Sequence, residues 1–127
     1  MIKAIGVDLV KVLRISRILQ GPRRARFLQR VLHDAELTAL RKMQSPQKAL
    51  QYVAGSWAAK EAVFKTLDER EQRQFVFREW RRHHEAGRPG IGRGPSDSGR
   101  FLLSISHDGD HLVAMVVRVD PHGATGG

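Results

Sequence analysis

The chain has 127 residues, 41% of them apolar, no cysteine, and a formal charge of +9 from 22 Lys and Arg against 13 Asp and Glu. This length suits one domain and the apolar share suits an ordered core. The lack of cysteine excludes disulfide frameworks and thiolate metal sites, so any metal here is held by oxygen or imidazole.

Residues 4–10, AIGVDLV, read as a short buried first strand rich in β-branched side chains. Residues 14–19 begin a helix that Gly21-Pro22 stops, and residues 24–41 are helical with a break near His33 and Asp34. Ser45 supplies an N-cap and Pro46 a first helical residue, and the helix that follows runs to about Leu67. Residues 74–80, QFVFREW, are expected as a strand, Gly87-Arg88-Pro89-Gly90 as a turn, and 91–100 as a Gly- and Ser-rich loop. Residues 101–107 and 111–119 are β-patterned runs around Asp108-Gly109, a hairpin signal. Residues 121–127 are expected as a frayed tail, leaving a domain over 1–120. The class is α+β: a small, mainly antiparallel sheet packed on one long helix.

Two carboxylates stand where propensity does not put them. Asp8 interrupts the apolar first strand, on one face with Ala4, Gly6 and Val10, and the small residues leave room beside it. Glu61 falls on the apolar stripe of the long helix, seven residues after Ala54 and four after Trp57. Plain readings exist for both: a solvated Asp near a strand end, and a Glu at the stripe's edge paired with Lys65. A carboxylate facing a core is costly unless paired, protonated or bound to metal. Two of them on neighbouring elements suit Mg²⁺, which takes one or two carboxylates with phosphate oxygens and water. Ser104, Ser106 and His107 precede the hairpin turn. Hydroxyls, an imidazole and turn amides together can hold phosphate.

The positive charge favours an anionic partner, whether nucleic acid, membrane surface, phosphorylated cofactor or acidic protein. It is concentrated: Lys11, Arg14, Arg17, Arg23, Arg24, Arg26 and Arg30 lie between Asp8 and Asp34 with no acid among them. No apolar run reaches the ~18 residues that suggest a membrane span. The start lacks the unbroken apolar core of a secretory signal. A cytoplasmic protein is expected, or a mitochondrial matrix one in a eukaryote.

Gly6-Val7-Asp8-Leu9-Val10 with Arg14, then Trp57-Ala58-Ala59-Lys60-Glu61-Ala62-Val63-Phe64-Lys65, then Ser104-Ile105-Ser106-His107-Asp108, occur in that order. Phe27, Arg30 and Glu36 fit between the first two blocks, and Gly87-Arg88-Pro89 before the third. Together they resemble the holo-acyl-carrier-protein synthases, the short class of phosphopantetheinyl transferases, over residues 5–119. The helical block is the most specific of the three.

The resemblance implies transfer of 4′-phosphopantetheine from coenzyme A to a serine of an acidic apo acyl carrier protein, giving 3′,5′-ADP. It implies a homotrimer with sites between subunits, and Mg²⁺ held by Asp8 and Glu61. It gives Asp8, Glu61 and Lys65 catalytic roles. Lys65, Ser104, Ser106, His107 and Asp108 contact the cofactor, and Arg14, Arg26 and Phe27 dock the carrier. The base for the serine proton stays open between a water on the metal, Glu61 and His107. Three positions depart from the pattern: Ser56 where Arg is frequent, Asp68 to Glu71 where Gly is frequent, and Lys11 where Glu is frequent. A competing class, a basic nucleic-acid-binding module, rests on the Arg-rich segment alone. It lacks a zinc-finger spacing and an aromatic-rich strand motif. A relative that assembles without activity is the third reading.

Overall fold

The computed structural model describes residues 1–120, so the expected tail at 121–127 lies outside the described residues. Its first strand, β1 (Ile2–Lys11), alternates between a face turned inward at Gly6 and Val10 and a face exposed at Ile5, Val7 and Leu9. Three short helices follow: α1 (Val12–Leu19), α2 (Arg24–Val31) and α3 (Asp34–Arg41). The long helix α4 (Pro46–Thr66) begins as expected. Ser45 accepts from Lys48 N at 3.2 Å, and Pro46 sits where its missing N–H costs nothing. A short α5 (Glu69–Arg73) leads to β2 (Arg81–Glu85), β3 (Arg88–Gly92), β4 (Phe101–Asp108) and β5 (His111–Val119). All pairings are antiparallel and the strand order is β1-β5-β4-β3-β2.

One face of β1, β5 and β4 receives α4. Val53, Ala54, Ala58, Ala59, Ala62 and Val63 are fully buried, as are Ala114 and Val116 from the sheet. The alanines matter because a small side chain lets a helix lie close on a sheet. The β4–β5 turn is Gly109-Asp110, one residue beyond the expected centre, with Gly109 at φ +58. Asp110 then holds the start of α1: its carbonyl accepts Val12 N at 2.9 Å and its carboxylate accepts Leu13 N at 3.0 Å.

Two expectations are corrected. Residues 74–80 are not a strand but an irregular connection with a 3₁₀ turn at Phe77–Glu79, and the strand begins at Arg81. The aromatic alternation that suggested pleating serves packing instead. Phe77 stacks on Trp57 at 5.1 Å, Phe75 meets Phe64 edge-on at 5.5 Å, and Trp80 meets Phe101 at 5.0 Å. The other correction is that, with the turn at Ala86-Gly87, β3 takes 88–90 out of the expected turn and 91–92 out of the expected loop. Its sequence, RPGIG, has poor strand propensity, so pairing with β2 defines it.

Asp68 to Glu71, where the resemblance leads to Gly, forms the cap and first turn of α5. Asp68 and Glu71 cap one another reciprocally, and Arg118 of β5 grips Glu71 with two bonds of 2.8 Å while donating to Thr66 O at 3.2 Å. Hydrogen bonding to Arg118 holds the Glu71 carboxyl down at about 2, against the opposing effect of burial. A depressed carboxyl stabilises the fold above its unfolded value and loses that as pH falls toward the folded one. The side chain is 36% exposed, so solvent screens the tie and about 1 kcal/mol is expected. Chemical denaturation from pH 6 to pH 2 should show wild type losing stability over this range. Glu71→Gln should lose about 1 kcal/mol less, because its contribution is already gone at neutral pH.

Candidate active site

The site begins with a glycine. A Cβ at Gly6 would overlap the Ala62 carbonyl oxygen and stand 2.9 Å from its carbon. Only glycine allows β1 and α4 to approach so closely. Two residues on, Asp8 points to the same side, and one residue after Ala62 in the reverse direction stands Glu61. The two out-of-place carboxylates thus meet at one crossing.

Lys65, one turn beyond Glu61, donates to Val7 O at 2.7 Å and to Asp8 Oδ1 at 3.2 Å. Asp8 is 16% exposed and Lys65 48%. Burial raises the Glu61 carboxyl above its usual range and the Asp8 charge adds to this, while Lys65 and Arg14 oppose it. The crossing therefore holds two acids that repel one another, with a lysine partly supplying the missing positive charge. Among the described residues no group of three or more His, Asp or Glu is placed to hold a metal. Two carboxylates still fit Mg²⁺, because that ion usually keeps several waters and takes phosphate oxygens. Burial is the larger cause of the raised Glu61 carboxyl, and the smaller part that Asp8 adds is one a nearby cation would offset.

His107 is on β4 opposite Leu112, which is opposite Val10, so its side chain shares the sheet face of Asp8. It lines an open depression of about 290 Å³ with Lys48, Tyr52, Gly55, Arg82 and Ile105. Arg82 donates to Tyr52 O at 3.0 Å and lies 4.5 Å over the Tyr52 ring, and its Nε is buried without a partner. Lys48, Tyr52 and Arg82 carry no sequence signal. They read as surface residues until the sheet register brings β2 against α4. Ser56, where the resemblance leads to Arg, is buried 3.5 Å from Glu36, and it is Arg82 that lies along this part of α4.

Ser104, Ser106 and Asp108 alternate away from His107. They are exposed on the outer face, with Leu102. A single protomer does not bring them to Asp8 and Glu61. Arg14 and Arg26 are exposed, but Phe27 is half-buried against Trp57 at 5.7 Å.

A model of the 4′-phosphopantetheinyl transferase superfamily matches residues 4–116, which includes all of this geometry. The chain belongs to that superfamily. Within it the chain is of the holo-[acyl-carrier-protein] synthase type. It is 34% identical over 118 residues to the "Holo-[acyl-carrier-protein] synthase" of Anoxybacillus flavithermus, covering 92% of this chain and 95% of that protein. To the protein of the same name in Streptococcus equi subsp. zooepidemicus it is 36% identical over 121 residues, 94% of this chain and 98% of the other. The crystal structure of the holo-[acyl-carrier-protein] synthase of Neisseria meningitidis superposes with a TM-score of 0.74 at 31% identity, over 94% of this chain and all of that one. A Bacillus anthracis synthase structure, described as a complex with CoA (3′,5′-ADP), gives 0.72 at 26% identity, over 93% and 96%.

For this phosphopantetheinyl transferase, Gly6→Ala should be among the most damaging single-methyl changes available. The added methyl meets helix backbone, which cannot turn aside as a side chain can. A loss of about 2–3 kcal/mol is expected, as for overpacked cores, and the small entropic gain of Gly→Ala does not offset it. Urea unfolding measures it; a change below about 0.5 kcal/mol would mean the crossing is looser than described.

Proposed function

We propose that the chain transfers 4′-phosphopantetheine from coenzyme A to a serine of an apo acyl carrier protein, with Mg²⁺, releasing 3′,5′-ADP. The observation that carries this reading is the Asp8–Glu61 crossing with Lys65 beside it, inside a chain of the synthase type. In the reaction the serine oxygen bonds to the β-phosphorus, and the bond from that phosphorus to the 3′,5′-ADP oxygen breaks. Such transfers depend on positioning and electrostatics more than on covalent work by protein groups.

The roles follow from placement. Asp8 and Glu61 would hold Mg²⁺, which when bound neutralises charge on the phosphate oxygens. Lys65 is half-exposed and held by only two acceptors, so it can turn from Asp8 to a phosphate. His107, with Lys48 and Arg82 beside it, offers a second cationic patch on the same sheet face. Glu61 and His107 are the chain's own groups able to take the serine proton, and a Glu61 that ligates the metal leaves that task to His107 or to water.

Ser104, Ser106 and Asp108 fit the site through a neighbouring copy. Their face also carries Ile5, Val7, Leu9, Leu102 and Met115, exposed at 58, 47, 65, 44 and 42%. An apolar sheet face of this extent is costly in water and marks an interface. We read it as the contact of a homotrimer, which would set one copy's hydroxyls near another copy's carboxylates. The exposed cations of α1 and α2, Arg14 and Arg26 with Arg17, Arg24 and Arg30, suit the acidic carrier. Exposed charges of this kind mostly raise association rate and select partners.

Mass measurement of an apo carrier protein incubated with the chain, coenzyme A and Mg²⁺ should show the added phosphopantetheine. Asp8→Asn and Glu61→Gln should each cut turnover at least 100-fold with the fold intact. The Mg²⁺ needed for half-maximal rate in wild type should rise as pH falls, since protonated Glu61 cannot ligate. Near-native turnover of either variant at low Mg²⁺ would sink the metal assignment.

Assembly is tested by light scattering. Wild type should have three times the chain mass, and Leu9→Glu with Met115→Glu should give a folded monomer with little activity. A fully active monomer would remove the shared-site reading.

A further inference from the structure

Among the described residues Lys60 is the most deeply buried charge, at 0% exposure, and Glu36 at 2% is matched by Asp97; the mechanism above uses neither Lys60 nor Glu36. Lys60 Nζ donates to Glu36 Oε1 at 2.6 Å and to Val31 O at 2.5 Å. Val31 is the last residue of α2, so its carbonyl is one that the helix itself leaves unpaired. Glu36 stands in the first turn of α3, where its Oε1 also accepts His33 N at 3.0 Å. Its Oε2 accepts Arg82 N of β2 at 3.2 Å and lies 3.5 Å from Ser56 Oγ of α4. The ammonium thus sits at a helix C-terminus and the carboxylate at a helix N-terminus, each the favourable sign for the dipole it meets.

A buried ion pair is weak evidence of stability, because desolvation offsets the attraction and apolar residues often serve as well. Here four elements meet on it, α2 by its last residue, α3 by its first turn, β2 near its start and α4 by its interior. Lys60 also immediately precedes Glu61 on α4. The two side chains leave the helix about 100° apart, one toward α2 and α3 and the other toward β1.

We propose that Lys60 and Glu36 are a positioning pair, which fixes α2, and with it the carrier-docking side chains Arg26 and Phe27, at a set distance and angle from Glu61. The pair touches neither substrate; it acts through the end of α2. It rests on the functional reading above. Apolar residues at these positions would fill the space, but they would leave Val31 O without its donor and α2 free to shift along α4. A misplacement of about 1 Å in a docking group is enough to lower rates by large factors.

The test is the near-isosteric neutral pair Lys60→Met/Glu36→Gln, which keeps an acceptor for His33 and Arg82, assayed as the full chain with apo carrier, coenzyme A and Mg²⁺. We expect a cooperative melt, a carrier KM raised at least tenfold, a kcat within threefold of wild type, and coenzyme A affinity by calorimetry within threefold. If the variant melts cooperatively with a wild-type carrier KM, the pair is structural only and the proposal fails. Should that variant not fold, Lys60→Gln/Glu36→Gln, which restores a donor toward Val31 O, gives the second reading: its carrier KM should lie within threefold of wild type, and a tenfold rise or a failure to fold overturns the proposal. Wild type that leaves the apo carrier unmodified would instead refute the activity reading.

Discussion

The contact on which the rest depends is the crossing of β1 and α4 at Gly6 and Ala62. It is set by what is missing, a Cβ on one side and a large side chain on the other. A helix usually stands about 10 Å from a sheet because side chains fill the space between. Removing them at one point lets the carboxylates just beyond it approach. Asp8 then stands near enough to Glu61 for its charge to act on it, and burial first, with the Asp8 charge second, raises the Glu61 carboxyl. Lys65 reduces the cost by donating to Asp8, and because it is half-exposed it can leave. The electrostatic character of the site is thus a result of packing two residues away.

What the sequence made legible was what local rules govern. The Ser45-Pro46 start, the period-2 alternation around Asp8 and the Gly109 turn each have a short-range cause, and each appears within a residue or two of its expected place. Asp8 and Glu61 were legible for a different reason, as charges that violate a pattern. Residues 74–80 misled because Phe75 and Phe77 have strand spacing, while the partners that decide their fate, Trp57 and Phe64, are more than ten positions earlier. Lys48, Tyr52 and Arg82 were invisible for the same reason. Arg82 sits in a run, RRHHE, that reads as solvated surface, and only the β2–β3 pairing turns it onto α4. Ser104 and Ser106 show a different limit of local reading. Adjacent in sequence to His107, they were grouped with it, although strand alternation sends them to the other face.

That alternation gives the sheet two separate tasks. Its inner face, under α4, holds Asp8 and His107 with the alanines and valines of the core. Its outer face holds the serines with Ile5, Leu9 and Met115, and none of the described residues of the protomer covers it. A chain of 127 residues has little material for a second layer. In the proposed reading another copy of the chain is that layer. In that reading one contact serves both, burying the strand's apolar side chains while carrying the serines to a neighbour's carboxylates.

The charge follows the same logic of division. Seven cations without an acid crowd the segment from Lys11 to Arg30, yet almost all are exposed on α1 and α2. Among the described residues three ion pairs reach inward: Lys60 with Glu36, buried throughout, and Arg118 with Glu71 and Arg93 with Asp97, each with one partly exposed member. Each pair ties elements distant in sequence or closes a loop, and each carboxylate accepts backbone N–H groups as well. Exposed charge can be gained or lost at little cost to the fold, which leaves the outer surface of α1 and α2 free to match a partner. Removing one member of a buried pair strands the other. The chain thus keeps its adjustable charges where a partner would meet them and its unforgiving ones where helices end, and the boundary between the two sets runs along α2, with Arg26 outside and the Val31 carbonyl within.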